Sequence, residues 1–167
     1  MELLDLYDQN GEKLGKTIVR GTPIRQGEYS MSVHMFIYDD KGRFLLQKRS
    51  EHKRSLPGIW SVTCGALMSG ENSVQAGIRE AKEELGLKLC AEDFDFIGRI
   101  KRRHSFIDIF FIKRNFNVKD LVLQREEVDF VRVCDANELV RVIRSSDTAG
   151  GAYTLAVSEA LRGRGLL

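Results

Sequence analysis

Apolar residues recur along this chain at two periods, one near two and one near 3.6. Between residues 32 and 38, Val33, Met35 and Ile37 alternate with His34 and Phe36, which reads as a strand. The turn Asp39-Asp40-Lys41-Gly42 follows, and residues 43–49 return as a second strand to complete a hairpin. Upstream, residues 3–7 and 13–19 flank Asp8-Gln9-Asn10-Gly11, whose Asn-Gly step predicts another hairpin. A charged loop over 50–59 carries Pro57-Gly58, then leads to a short strand at 60–63 and a glycine-bearing loop at 65–70. The longer period takes over at 73–85 and predicts a helix closed by Gly86 as a left-handed cap. Three more strands are expected at 95–102, 106–113 and 127–133. A helix capped by Asp135 should run through 143, and the last helix should cover 151–162. No linker or repeat divides the chain, so residues 1–167 are read as a single domain. Its class is α/β, with a mixed central sheet covered by helices.

The helix at 73–85 carries the densest chemistry. Glu80, Glu83 and Glu84 stand at i, i+3 and i+4, within roughly a third of the helix circumference. Val74, Ile78, Ala81 and Leu85 form a separate apolar stripe, so the acidic face points away from the buried one. Like charges at this spacing repel, and where a stability-only account would interleave lysines, Lys82 is the only nearby candidate. A solvated acidic face is one reading. A bound hard cation, Mg²⁺ or Mn²⁺, is the other, since such ions take carboxylate oxygens and complete their shell with water and phosphate.

Composition narrows the field. Lys+Arg 26 against Asp+Glu 24 gives a net charge of +2, too mild a balance to imply a nucleic-acid polymer as partner. Hydrophobic residues at 43% and charged residues at 30% describe a globular chain. Cys64, Cys90 and Cys134 are odd in number and widely spaced. They suggest reduced thiols rather than a zinc site or a disulfide framework. The N-terminus lacks the features of a signal peptide, and the longest apolar run, near 106–112, is too short for a bilayer. A cytoplasmic protein without membrane association is therefore expected.

The order Gly65, five residues, Glu71, seven residues, then Arg79-Glu80-Ala81-Lys82-Glu83-Glu84-Leu85-Gly86-Leu87 resembles the Nudix box of the MutT-like hydrolases, G-x5-E-x7-R-E-U-x-E-E-x-G-U. Every polar and glycine position is filled; Ala81 is small where the family usually places a bulkier aliphatic residue. The resemblance implies an α/β/α sandwich with the box helix on one side of the sheet and the C-terminal helices on the other. It also implies Mg²⁺ (Mn²⁺ as the substitute) held by Glu80, Glu83 and Glu84, with Gly65 letting backbone approach the ion. Arg79 would pair with Glu71 to fix the loop onto the helix, and Gly86 would end that helix. The reaction implied is attack of water on a diphosphate linkage in a nucleoside diphosphate joined to another moiety, or in a similar small molecule. Glu80 or Glu83 could act as general base, and so could a glutamate about 40 residues downstream, where Glu127, next to Glu126, is the better match. Dimers are frequent among similar proteins, so a homodimer is compatible with the resemblance.

Two alternatives stand beside this reading. The stretches Phe44-Leu45-Leu46-Gln47-Lys48-Arg49-Ser50 and Leu56-Pro57-Gly58-Ile59-Trp60 resemble the Nudix branch that includes isopentenyl-diphosphate isomerases. Cys64 matches the catalytic cysteine of those enzymes, but Ala66 stands where they carry a histidine. A nucleotide-sensing domain without catalysis is the third reading, against which the complete box speaks. For substrate contacts the candidates are Arg49, which faces opposite to Lys48 on its strand, Arg103 and Trp60. Arg103 shares a strand face with Arg99 and Lys101, a pattern equally expected of a solvated surface. Trp60 or Tyr38 could stack on a base or sit in the core. His34 reads as a satisfied sheet histidine.

Overall fold

The computed structural model describes residues 1–147 and 149–167. Strands β1 (Leu3–Tyr7) and β2 (Lys13–Val19) form an antiparallel ribbon of their own. Its turn is held by the Asp8 carboxylate, which accepts from the backbone N–H of Asn10 at 2.8 Å, while Gly11 takes the left-handed backbone at φ 83°. The remaining strands make one mixed sheet: β3 (Ser30–Tyr38), β4 (Phe44–Arg49), β5 (Trp60–Ser61), β6 (Thr63–Ala66), β7 (Phe94–Lys101), β8 (Ser105–Lys113) and β9 (Val128–Cys134). Parallel pairing of β3 with β8 runs from Ser30↔Ser105 to Tyr38↔Lys113 and forms the spine. Strand β7 continues one edge, antiparallel to β8.

The other side of the sheet is split. Strand β4 pairs with β3 only at Tyr38↔Phe44 and otherwise with β9 and β5. Strand β6 takes the opposite end of β3, from Ser32↔Ala66 to Met35↔Thr63. The ends of β4 and β6 and the start of β9 therefore gather at one mouth of the sheet.

Helix α1 (Ser73–Leu85) covers one face, and α2 (Ala136–Ser145) and α3 (Ala152–Gly163) cover the other. The strand alternation sorts the core accordingly. Val33, Met35, Ile37 and Leu45 pack with α1, whereas Phe36, Phe44 and Leu46 pack with α2 and α3. The α/β/α sandwich implied by the box is thus the observed architecture. Among the described residues no helix is long and apolar enough to cross a membrane.

Helix α1 has the predicted bounds because both ends are chemically specified. Asn72 caps the N-terminus in a reciprocal box with Gln75. Gly86, at φ 65°, donates its N–H to the last-turn carbonyls. The small residue at 81 also has a reason. Ala81 is fully buried, one turn beyond Gly77, where an added Cβ would lie 2.6 Å from the Phe94 ring and 3.0 Å from Met35 Sδ. The helix lies so close to β3 that a bulkier pair would force it away.

Two boundaries differ from expectation. The segment 60–66 is two short strands rather than a strand and a loop, because backbone pairing of 60–61 with β4 and of 63–66 with β3 organises residues too few to show a period. Strand β9 begins at Val128, so Glu127 sits in the preceding turn, where its N–H donates to the Gln124 carbonyl at 2.9 Å. Of the thiols, Cys134 is buried and Cys90 exposed, and all three are free.

His34 shares a 2.7 Å hydrogen bond between Nδ1 and the Tyr153 hydroxyl. Burial holds its imidazole down to about 4, with the Arg102 charge acting in the same direction. The unfolded chain therefore takes up this proton first, and the contribution of neutral His34 to stability is lost as pH falls from about 6.5 toward 4. Nitrogen-detected NMR of the histidine side chains is expected to show one ring still neutral at pH 5. A ring titrating near 6.5 at this position would remove the argument.

Candidate active site

At the split in the sheet, α1 presents Glu80 and Glu84 to the backbone of β6. Gly65 lies so close to Glu80 that a Cβ at this position would overlap the carboxyl group. Arg79 binds the surrounding loop together. Its Nε and Nη2 donate to the two oxygens of Glu71 at 2.7 and 2.9 Å, a bidentate fork. Nη2 also reaches the Ala66 carbonyl at 3.1 Å, and Nη1 donates to Glu80 Oε1 at 2.8 Å and to Glu83 Oε2 at 3.3 Å. Glu71 in turn accepts from the backbone N–H of Met68 at 2.9 Å. The loop between β6 and α1 is thereby tied to the acidic helix.

Two other segments close the mouth. The backbone N–H groups of Val122 and Gln124 donate to the carbonyls of Leu85 and Glu84, each at 3.0 Å. That clamp carries Glu127 to the cleft, where Lys53 Nζ holds Glu127 Oε1 at 2.6 Å. On the opposite rim, the N–H of Ser69 donates to the Leu3 carbonyl and that of Gly70 to Asp5 Oδ2. The N-terminal ribbon is thus docked onto the box loop. It brings Arg20 to the rim, paired with Glu2 at 2.8 Å. The resulting cleft, of about 100 Å³, is lined by Gly65, Arg79, Glu80, Glu83, Glu84 and Glu127, with Glu2, Arg20, Arg49, Cys64, Met68 and Gln124 around them.

The three helix glutamates are not equivalent. Glu80 and Glu84 are 7% and 5% exposed, while the Glu83 side chain is 53% exposed. Burial pushes the Glu84 carboxyl up to about 7, assisted by the charges of Glu80 and Glu127 and opposed by a hydrogen bond from Gln47. Burial raises Glu80 as well, against the lowering effect of Arg79. Glu71 goes the other way, held low chiefly by its hydrogen bond from Arg79. Burial pushes the Cys64 thiol up to about 12, so it is a protonated, weakly reactive group at this edge.

Buried carboxylates with too little cationic charge around them are what a hard divalent ion relieves. The donor set fits such an ion: carboxylate oxygens of Glu80, Glu84 and Glu83, and a backbone that only glycine at 65 leaves open. Among the described residues no three acidic, histidine or cysteine side chains already converge in ligand geometry. Arg79 is threaded among Glu71, Glu80 and Glu83, and its Nη1 occupies one oxygen of Glu80 and one of Glu83.

Of the substrate contacts expected from the sequence, Arg49 reaches this cleft, with Nε on the Ser55 carbonyl at 2.7 Å. Lys48 points elsewhere, to Glu51. Arg103 and Trp60 do not line it. Arg103 is exposed in the turn between β7 and β8. Trp60 packs on the opposite core with the Arg132 guanidinium 4.6 Å above its ring. The basic face beside Arg103 is also engaged: Arg99 pairs with buried Asp108, and Lys101 lies over Tyr29. Sequence reasoning missed Arg20, Glu2 and Gln124, which line the cleft, and Lys53, which holds Glu127; all four are placed by long-range docking and carry no local signal. It also missed Gln47, a polar residue following three apolar ones in β4, and that interruption was visible.

Residues 28–154 match the family model described as the NUDIX domain. The chain belongs to the Nudix hydrolase family. It is 36% identical over 147 residues to an uncharacterized Nudix hydrolase of Listeria monocytogenes, covering 87% of this chain and 86% of that one. An isopentenyl-diphosphate Delta-isomerase of Streptomyces avermitilis is 34% identical over 118 residues, 69% of this chain and 58% of that enzyme. The DR0079 structure from Deinococcus radiodurans superposes with a TM-score of 0.73 at 22% identity, covering 95% of this chain and 98% of that one, and supports the fold. As a Nudix hydrolase this chain is an enzyme of a family that cleaves diphosphate bonds in small molecules with divalent cations. The N-terminal ribbon lies ahead of the matched segment, yet the residues that flank its two strands, Glu2 and Arg20, line the cleft.

Proposed function

We propose that this Nudix hydrolase uses Mg²⁺, or Mn²⁺ in its place, to hydrolyse the diphosphate bond of a nucleoside diphosphate linked to another moiety. The observation that carries this reading is the pair of buried, under-neutralised carboxylates, Glu80 and Glu84, set against a glycine backbone and rimmed by Arg20 and Arg49. Glu80, Glu83 and Glu84 would hold the ion, with the Gly65 backbone beside them. When bound, the ion neutralises charge developing on the phosphoryl oxygens and makes a neighbouring water more acidic.

The remaining work falls to the chain. Arg49 and Arg20 bind phosphoryl oxygens and orient the linkage. Glu127, which lines the cleft, accepts a proton from the attacking water, with Lys53 fixing one of its oxygens. Glu71 keeps Arg79 in place, so the loop that carries Gly65 does not drift from the helix.

The test is a pooled assay in Mg²⁺, read by mass spectrometry, with wild type and Glu83→Gln side by side. The pool holds nucleoside triphosphates, dinucleotides, nucleotide sugars, coenzyme A and isopentenyl diphosphate. The expected result is a pair of phosphate-bearing products from one substrate, absent with the variant and with chelator. The prenyl diphosphate is resolved by chromatography, because isomerisation leaves its mass unchanged. Its conversion without phosphorus cleavage would replace the hydrolase reading with the isomerase one.

A further inference from the structure

Behind Glu84, in the buried layer beneath the cleft, runs a polar chain that the proposed reaction has not used. Gln47 is 5% exposed, on the β4 face that it shares with Leu45 and Arg49. Its amide nitrogen donates to Glu84 Oε2 at 2.7 Å. Its amide oxygen accepts from the Thr63 hydroxyl of β6 at 2.9 Å. Thr63 is 1% exposed. An ionised carboxylate only accepts hydrogen bonds, so Glu84 fixes which end of the amide faces it, and the hydroxyl holds the other end.

The choice of a neutral donor is informative. Glu80 shares the Arg79 guanidinium, and a cation there competes directly with a divalent ion for the same oxygen. Glu84 is oriented through an uncharged amide, which leaves its negative charge uncompensated and its second oxygen free of this bond. Buried polar side chains on a core strand are destabilising unless each one is satisfied. Here Thr63 donates to Gln47 and Gln47 donates to Glu84, so the chain ends on the carboxylate.

Building on the metal reading above, we propose that Gln47, anchored by Thr63, is a positioning residue that aims the Glu84 carboxylate at the divalent cation. Gln47 acts through Glu84 and touches neither the phosphates nor the water.

The test is binding of Mn²⁺ alone, without substrate, followed by electron paramagnetic resonance of the free ion. Loss of an outer partner typically weakens metal binding by about 10–100-fold. Gln47→Leu is expected to raise the Mn²⁺ Kd within that range, and Thr63→Val by several-fold, while Thr63→Ser, which keeps the hydroxyl, stays near wild type. In steady state, the Thr63→Val defect is expected in kcat at low Mg²⁺ and to shrink as Mg²⁺ rises, with KM for the diphosphate substrate little changed. Circular dichroism confirms folding of each variant. If Gln47→Leu does not fold, the Thr63→Val and Thr63→Ser pair decides the matter. Wild-type Kd in both Gln47→Leu and Thr63→Val, or in Thr63→Val alone where only it folds, overturns this proposal and leaves the metal reading intact. A wild type that binds no Mn²⁺ overturns both.

Discussion

Glu84→Gln is expected to lower diphosphate hydrolysis by about 10³-fold, the several kcal/mol that a correctly held metal supplies. In chelator at pH 8 the same substitution is expected to raise the melting temperature. The reason is the sign of the linkage. Burial holds the folded Glu84 carboxyl at about 7, against 4.5 for the ordinary group. Between those values the folded state binds more protons than the unfolded one, so Glu84 lowers stability progressively as pH rises and reaches its full cost above 7. The ceiling is about 3 kcal/mol, or several degrees for a chain of this length. A glutamine at 84 keeps the hydrogen bond from Gln47 and removes the buried charge. His34 acts in the opposite direction over the same pH range, so the variant must be compared with wild type at each pH. Calorimetry at pH 5 and 8 in chelator, with rates measured in Mg²⁺, checks both halves. Full turnover in the variant removes Glu84 from the metal site. A variant that melts below wild type at pH 8 contradicts the burial argument.

Arg79→Lys is the second large effect. The guanidinium satisfies Glu71 with two parallel bonds while also serving Glu80, Glu83 and the Ala66 carbonyl. A lysine ammonium is a point charge and cannot span these partners. The loop that carries Gly65 then loosens from α1, and displacement of such a site by about 1 Å costs about 10²-fold in rate. Breaking a fully buried pair costs about 3–5 kcal/mol. The partial exposure of Arg79 and Glu71, 23% and 19%, brings the expected loss to about 2 kcal/mol after screening. Chemical denaturation and kcat/KM measured on one preparation test this. Near wild-type kcat/KM with the stability loss alone would make Arg79 structural only.

The parts of the site that were legible in the sequence are local. Helix α1 was readable to the residue because its apolar stripe, its αL glycine and its acidic face all lie within one stretch. The spacing from Gly65 to Gly86 was readable for the same reason. Ala81, the one position short of the family pattern, acquires its explanation only beside Gly77 and the Phe94 ring. Arg103 and Trp60 were chosen by residue type, and the fold places both away from the cleft.

The sequence by itself determined the class of the fold, the box helix and the acidic chemistry along it. These depend on short-range periodicity, capping and spacing, which a linear chain expresses directly. Only the tertiary structure decided which carboxylates lose their water. Glu80 and Glu84 are buried and Glu83 is exposed, because β6 and the turn before β9 close over one edge of the helix. It also decided that Gln47, Thr63, Lys53 and Arg20 share this site, since desolvation and hydrogen bonding depend on distance in space, and split strands bring distant residues to one mouth.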